Sequence, residues 1–360
     1  MATNESSVQQ EGGPGPSLAA DPVTGIVPGY YWQQAAQALP PDEDGDSSLG
    51  DGDNASSTAS VASSILEYRT IQGRTYYSDR GNAKYWGLND DKQNESLDIN
   101  HHSLTLAIDN KLYLAPLKKD IAKALDIGTG TGIWAIDFAD EFPTTEVIGT
   151  DISPIQPSWI PPNLKFEIED CTQDWTFPSD SFDYIHSRWL NGSIDDWGKL
   201  FKEAYRCCKP GGYVESYEAT PGMESDDGTV KETDAIGQWG KLFVEYGRRC
   251  GRPFTTVTSG LQKKAMKEAG FIDIEEKDIK TPIGGWPQDP VLRDAGRYAH
   301  LALTQDVEGF MLLVTSELGW TKEQSLIYAA QVRRELRSGK HHVYYRQRIV
   351  WARKPEGNSE

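Results

Sequence analysis

The chain is poor in cysteine, with four in 360 residues, and none are spaced as Cys-x-x-Cys. Cys171 and Cys250 stand alone, while Cys207 and Cys208 are adjacent within an expected helix. Such spacing argues against a disulfide framework and against a thiolate zinc site, and reduced thiols are the expectation. Long apolar runs are missing as well, and nothing approaches the roughly 20 residues that span a bilayer. The first residues carry neither a basic stretch nor an apolar core, so no signal peptide is expected. Positive charge is scarce: 54 acids face 36 Lys and Arg, for a formal charge of −18. Residues 1–66 hold nine acids and no Lys or Arg. A broad phosphate-binding face does not fit this balance, so neither direct nucleic-acid binding nor a membrane is expected. A cytoplasmic or nuclear location, or both, fits the rest.

What the chain does have is a glycine turn. Leu125-Asp126-Ile127 ends an apolar run, Gly128, Gly130 and Gly132 alternate with Thr129 and Thr131, and a helical pattern from Ile133 reaches Asp140. The reading is strand, tight turn, helix. Glycines let a ligand lie against bare main chain, and the helix N-terminus brings unpaired N–H groups to the same spot. A dinucleotide site would need its third glycine where β-branched Ile133 stands. A nicotinamide oxidoreductase is therefore disfavoured. An acid at Asp126, two residues before the first glycine, repels a pyrophosphate and suits an ammonium group. S-adenosyl-L-methionine has such a group on its methionine end, beside a cationic sulfonium.

Around that turn the chain reads as α/β. Residues 1–64, rich in Gly, Pro, Ser and Asp, are expected to be a disordered acidic tail. Tyr30-Tyr31-Trp32 is an aromatic island within it, either a short partner-binding motif or a chance cluster. Residues 65–355 are expected to form one domain: a lid and helix over 65–120, a cofactor-binding core over 121–220, and helical insertions with the last strands over 221–355. Residues 356–360 would be a second tail. Tyr68, Tyr76, Tyr77, Tyr85 and Trp86, interleaved with Arg69, Arg74, Arg80 and Lys84, are read as a segment lying over the cleft. A helical pattern opens at Leu97 and carries His101 and His102. Strands are expected at 121–127, 146–151, 163–168, 182–186, 213–218, 271–277 and 343–353, with helices at 197–208, 231–249 and 259–269 and a helical block at 289–339. Lys209-Pro210-Gly211-Gly212 should stop one helix before the fifth strand.

Ligands of open α/β sheets bind at the carboxyl ends of strands. Asp151, 19 residues past Gly132, sits where an acid ending the second strand grips a ribose diol, with Ile152 beside it. Asp170 and Cys171 follow the third strand, where a carboxylate accepts from the adenine amino group. Trp175 could pack near the base, and Phe177 is read as core. His186, Ser187, Arg188 and Trp189 end the fourth strand and are candidates for the reaction pocket. His186 is the candidate general base, since its pKa can sit near neutrality. Arg188 is the candidate to orient a polar group of the acceptor.

Together these elements resemble the class I S-adenosylmethionine-dependent methyltransferases, through the turn at 126–132, Asp151, Glu169-Asp170 and Lys209-Pro210-Gly211-Gly212. More narrowly the chain resembles the fungal LaeA-like methyltransferases. That likeness rests on the stretches at 97–102 and 128–137, Ile155-Gln156-Pro157, Pro161-Pro162-Asn163, the stretch at 183–188, Trp286-Pro287, Asp289-Pro290 and the closing 351–355. It covers residues 65–355. It implies a Rossmann-like, seven-stranded, mostly parallel sheet whose last strand runs antiparallel between the fifth and sixth. It implies S-adenosylmethionine as cofactor, with Asp126, Gly128, Thr129, Gly130 and Gly132 holding its methionine end. Members of the family include enzymes acting on small metabolites and a nuclear regulator that works with velvet-type partner proteins. One departure is Ser96, where the family often has Arg. The expectation is methylation of a small fungal secondary metabolite, with regulation of secondary metabolism through a protein partner as the alternative.

Overall fold

The computed structural model describes residues 20–37, 68–71, 73–77 and 85–357. Helix α1 (Gly29–Gln37) precedes a short antiparallel hairpin of β1 (Arg69–Ile71) and β2 (Arg74–Tyr76). Helix α2 (Asp91–Ala107) leads into β3 (Lys123–Ile127), α3 (Ile133–Glu141), β4 (Glu146–Asp151) and β5 (Leu164–Ile168). Then come β6 (Phe182–Arg188), α4 (Trp197–Cys207) and β7 (Cys208–Ala219). Helices α5 (Ala235–Cys250) and α6 (Leu261–Ala269) lead to β8 (Ile272–Pro282). A block of α7 (Pro290–Gln305), α8 (Val307–Glu317) and α9 (Lys322–Arg337) separates β8 from β9 (Tyr344–Arg353).

The main sheet has seven strands in the order β5-β4-β3-β6-β7-β9-β8. Neighbours from β5 to β7 pair in parallel, and β9 pairs antiparallel with both β7 and β8. This is the topology that the resemblance implied. Strand β3 lies inside the sheet between β4 and β6, and its last four residues are buried because helices cover both faces. Chain order reverses between β3 and β6, so the crevice for a ligand opens outside the carboxyl ends of these strands. The register sets Asp126 level with Gly149 on one side and His186 on the other.

The helices begin where short acids cap them. Asp90 accepts from the Gln93 N–H at 3.1 Å, which starts α2 at Asp91, well before the expected Leu97. Asp196, Asp289 and Asp306 cap α4, α7 and α8 in the same way. Arg74 bonds two of these caps together, Asp90 at 2.5 and 2.7 Å and Asp306 at 2.9 and 2.8 Å. The hairpin is thereby fastened across the starts of α2 and α8. Helix α5 begins at Ala235 rather than Lys231, because the Glu335 carboxylate on α9 accepts from the Ala235 and Ile236 N–H groups. The Lys209–Gly212 segment does not precede a strand but falls inside β7, where pairing with β6 is irregular.

The expected disordered tail needs correction over 20–37. Here Ile26, Val27 and Trp32 are buried in one apolar cluster with Trp239, Phe243, Met311 and Tyr328. The Trp32 ring meets Tyr328 edge-on at 5.1 Å, and the Val27 N–H donates to Gln238 Oε1 at 2.8 Å. Average composition hid a short stretch with enough aromatic area to offset its own ordering. The rest of 1–64, together with Ile65, Arg80 and Lys84, lies outside the described residues. Among the described residues no helix is long and apolar enough to cross a membrane.

Candidate active site

A cavity opens across the carboxyl ends of β3, β4, β5 and β6. Its walls include Asp126, the turn at 128–131, the stretch at 151–153, the stretch at 169–172, His186 and Arg188. The structure therefore brings together every expected cofactor residue except Gly132. That glycine sets φ at +83° as the N-cap of α3, and a Cβ there would stand 2.4 Å from the Phe166 ring. The missing side chain there lets α3 pack against β5, and Gly132 is not on the cavity wall.

The turn and the end of β4 are tied to each other. Gly130, at φ +60°, aims its N–H at Asp151 Oδ2, 2.8 Å away, and the Ser153 N–H reaches Oδ1 at 2.9 Å. Burial pushes the Asp151 carboxyl up to about 6, against the pull of those amides. Each of its oxygens keeps a second lone pair for a diol. Beyond β5, Asp170 Oδ1 accepts from Thr172 N–H and Oγ1 at 2.9 and 2.7 Å, which shapes the loop that presents Asp170 and Cys171. Burial raises the Cys171 pKa, so the thiol stays protonated. Trp175 does not line the cavity: it and Phe177 belong to the core beneath it.

Asp126 is buried and takes two bonds, from Thr129 Oγ1 at 2.6 Å and from His186 Nδ1 at 2.7 Å. The His186 ring is stacked on Trp134 with centroids 3.7 Å apart. Burial lowers the His186 pKa, although the bond to Asp126 opposes it. The ring is thus a neutral imidazole with its proton on the Asp126 side. Arg188 donates to His101 Nδ1 at 2.9 Å, and His101 Nε2 meets Asp137 Oδ2 at 2.9 Å. Burial lowers the His101 pKa too, which suits a ring that accepts from Arg188 and donates to Asp137. His102 instead packs edge-on against Tyr298. His186 and Arg188 both face the cofactor cavity and are held by these partners, and His186 Nε2 has no partner among the described residues. Ser187 is buried in the sheet and does not line the cavity.

Trp189 ends β6 in an unusual way. Its φ is +60°, which a bulky residue adopts only when its surroundings impose it. Glu218, at the end of β7, accepts from the next two amides, Leu190 at 3.1 Å and Asn191 at 2.9 Å. Burial pushes the Glu218 carboxyl up to about 8.

The cavity suits a polar ligand of the expected kind. Five buried polar atoms on its walls have no partner among the described residues: both amide atoms of Asn89, His186 Nε2, Trp189 Nε1 and Ser193 Oγ. Buried polar atoms are seldom left unsatisfied, so a ligand with several donors and acceptors fits them. Tyr85, of the segment expected over the cleft, and Asn100, within the 97–102 stretch, also line this wall, as does Asn89, which carries no sequence signal. Ser96, at the position where the family often has Arg, points away and donates to the Ala302 carbonyl, packing α2 on α7.

Residues 99–276 match a family model described as "Methyltransferase domain". Methyltransferase pytC of Aspergillus terreus is 35% identical over 305 residues, 84% of this chain and 93% of that protein. Secondary metabolism regulator LAE1 of Cochliobolus heterostrophus is 34% identical over 291 residues, 79% of this chain and 94% of that protein. Probable methyltransferase tdiE of Emericella nidulans is 31% identical over 268 residues, 74% of this chain and 83% of that protein. The sheet order and the cleft define an enzyme of the class I methyltransferases, with S-adenosylmethionine as cofactor. Within that class, the chain belongs to the fungal LaeA-like methyltransferases.

Proposed function

We propose that this methyltransferase acts on a small-molecule acceptor of secondary metabolism. The observation that carries the reading is the intact cofactor cavity, in which Asp126, Asp151 and Asp170 are all held on the walls by loop hydrogen bonds. Asp126 with the turn at 128–130 would hold the methionine end, Asp151 and Ile152 the ribose, and Asp170 and Cys171 the adenine. Bound there, the cofactor supplies an electrophilic methyl group. The chain's part is to position the acceptor and exclude water, which suffices for an in-line displacement. His186 fixes Asp126, and the Arg188–His101–Asp137 series fixes the wall beside it. Residues 65–355 are the proposed catalytic domain, in the cytoplasm, the nucleus or both, with 20–37 docked upon it.

A second reading, regulation through a protein partner, is favoured by relatives that bear the name of regulators of secondary metabolism. Both are tested by complementing a deletion strain with wild-type protein and with Asp151→Ala. The expected result is accumulation of a compound lighter by one methyl group in the deletion and in the Asp151→Ala strain alike. Full restoration by Asp151→Ala, with loss on deletion of residues 1–64, would sink the catalytic reading.

A further inference from the structure

A second cavity adjoins the first and shares Leu97, Asn100 and Trp189 with it. With the solvent at its mouth it encloses about 850 Å³. Its walls come from α2, the end of β7, α5, α7 and α8, and they contain no Asp, Glu, Lys, Arg or His. One side is a cluster of rings. Trp86 meets Phe243 edge-on at 5.4 Å and Phe254 at 5.5 Å, and Trp239 lies 5.2 Å from Phe243. The Trp86 Nε1–H is spent on the Asn191 carbonyl at 3.1 Å. The Asn191 amide is spent on Ala219, Phe254 and Thr256. The opposite side is small: Ala299 and Ala302 of α7, held against α2 by Ser96 and Ser103.

Two polar groups stand unspent where the cavities meet, and Tyr345 Oη, on the second cavity's wall, is a third buried polar atom with no partner among the described residues. The Asn100 carboxamide makes no hydrogen bond among the described residues and lies on both walls. Trp189 Nε1 is buried without a partner among the described residues, and Trp189, at φ +60°, lines both cavities. An apolar slot with two hydrogen-bonding groups at its inner end is suited to a flat apolar body bearing a heteroatom. It is unsuited to a phosphate or carboxylate, which would be buried with no partner charge.

Resting on the reading of the first cavity as the cofactor site, we propose that the second cavity is the acceptor site, and that it takes a neutral, low-mass aromatic compound. Asn100 and Trp189 would orient the acceptor's heteroatom toward the cofactor cavity. Transfer then forms one bond from that heteroatom to the methyl carbon and breaks the carbon–sulfur bond, whose electron pair returns to sulfur. The methylated heteroatom then carries the acceptor's proton until it is lost to water as the product leaves.

The test uses the full chain, calorimetry with S-adenosylhomocysteine, and tryptophan-fluorescence titration with 2-naphthol and with 2-naphthoate at neutral pH. With S-adenosylhomocysteine present, 2-naphthol should bind at least about tenfold more tightly than the anion. Ala302→Trp, which fills the slot, should weaken 2-naphthol about tenfold and leave S-adenosylhomocysteine affinity within about twofold. Leu303→Lys is the second variant and should reverse the preference toward 2-naphthoate. Retained S-adenosylhomocysteine binding shows that either variant is folded. Equal binding of the two naphthalenes, or no response to either variant, overturns the acceptor site while the cofactor reading stands. Failure of wild-type protein to bind S-adenosylhomocysteine overturns both.

Discussion

On one side of Trp189 the chain lines a cavity with Asp126, Asp151, Glu169, Asp170, His186 and Arg188; on the other the walls are rings, alanines and amides. The first cavity is assembled from strand ends and from the turns directly after them, where backbone N–H groups hold Asp151 and Asp170 and the Thr129 hydroxyl and His186 ring hold Asp126. The second draws on segments as far apart as Trp86 and Tyr345. A cofactor common to many enzymes can be held by short local motifs. A particular acceptor is met by surfaces that only the tertiary fold assembles. The difference also predicts separable responses to mutation.

The largest effect should come from the segment that supports the apolar side. Trp32→Ala removes a buried ring from the cluster shared by α1, α5 and α9, and should cost roughly 3–5 kcal/mol of stability. Chemical denaturation checks this, and S-adenosylhomocysteine affinity of the folded protein should stay unchanged. A large loss of that affinity would break the separation between the two sides.

On the polar side, Asp151→Ala removes the proposed acceptor for a ribose diol and should weaken S-adenosylhomocysteine about 100-fold in calorimetry, a loss near 3 kcal/mol. Binding of 2-naphthol alone should change little. Gly132→Ala sharpens the boundary between packing and contact. With Phe166 in the way and φ positive, it should cost about 1–3 kcal/mol of stability, measured by thermal melting, while the folded protein keeps its cofactor affinity.

The smallest effect is set by pH. In the proposed mode the ribose hydroxyls donate to the ionised form of Asp151, whose carboxyl burial pushes up to about 6. Lowering pH through that value protonates it, so S-adenosylhomocysteine affinity should fall several-fold from about pH 7.5 to about pH 5. In Asp151→Asn the same titration should be flat across the interval.

The same division governed what the sequence made legible. Asp126, the glycine turn, Asp151 and Asp170 were readable because strand, turn and acid follow one another within a few residues. The antiparallel last strand was readable through the resemblance. The packing demand on Gly132 could not be read, because its neighbour Phe166 comes from β5, 34 residues on. His101 could not be given its place between Arg188 and Asp137, since that series joins α2, β6 and α3. Asn89 had no period or motif to mark it, and the 97–102 stretch did not single out Asn100 as a cavity residue. Residues 20–37 were misread because a few aromatics were diluted by polar flanks, and their partners lie over 200 residues away.

Purified protein incubated with S-adenosylmethionine labelled on its methyl group, and with the low-mass extract of a deletion strain, tests the central reading most directly. Label should enter an organic-extractable neutral compound, and Asp151→Ala should abolish that transfer. Label found only in added protein, or in no product from any fraction, would contradict a methyltransferase of small neutral acceptors.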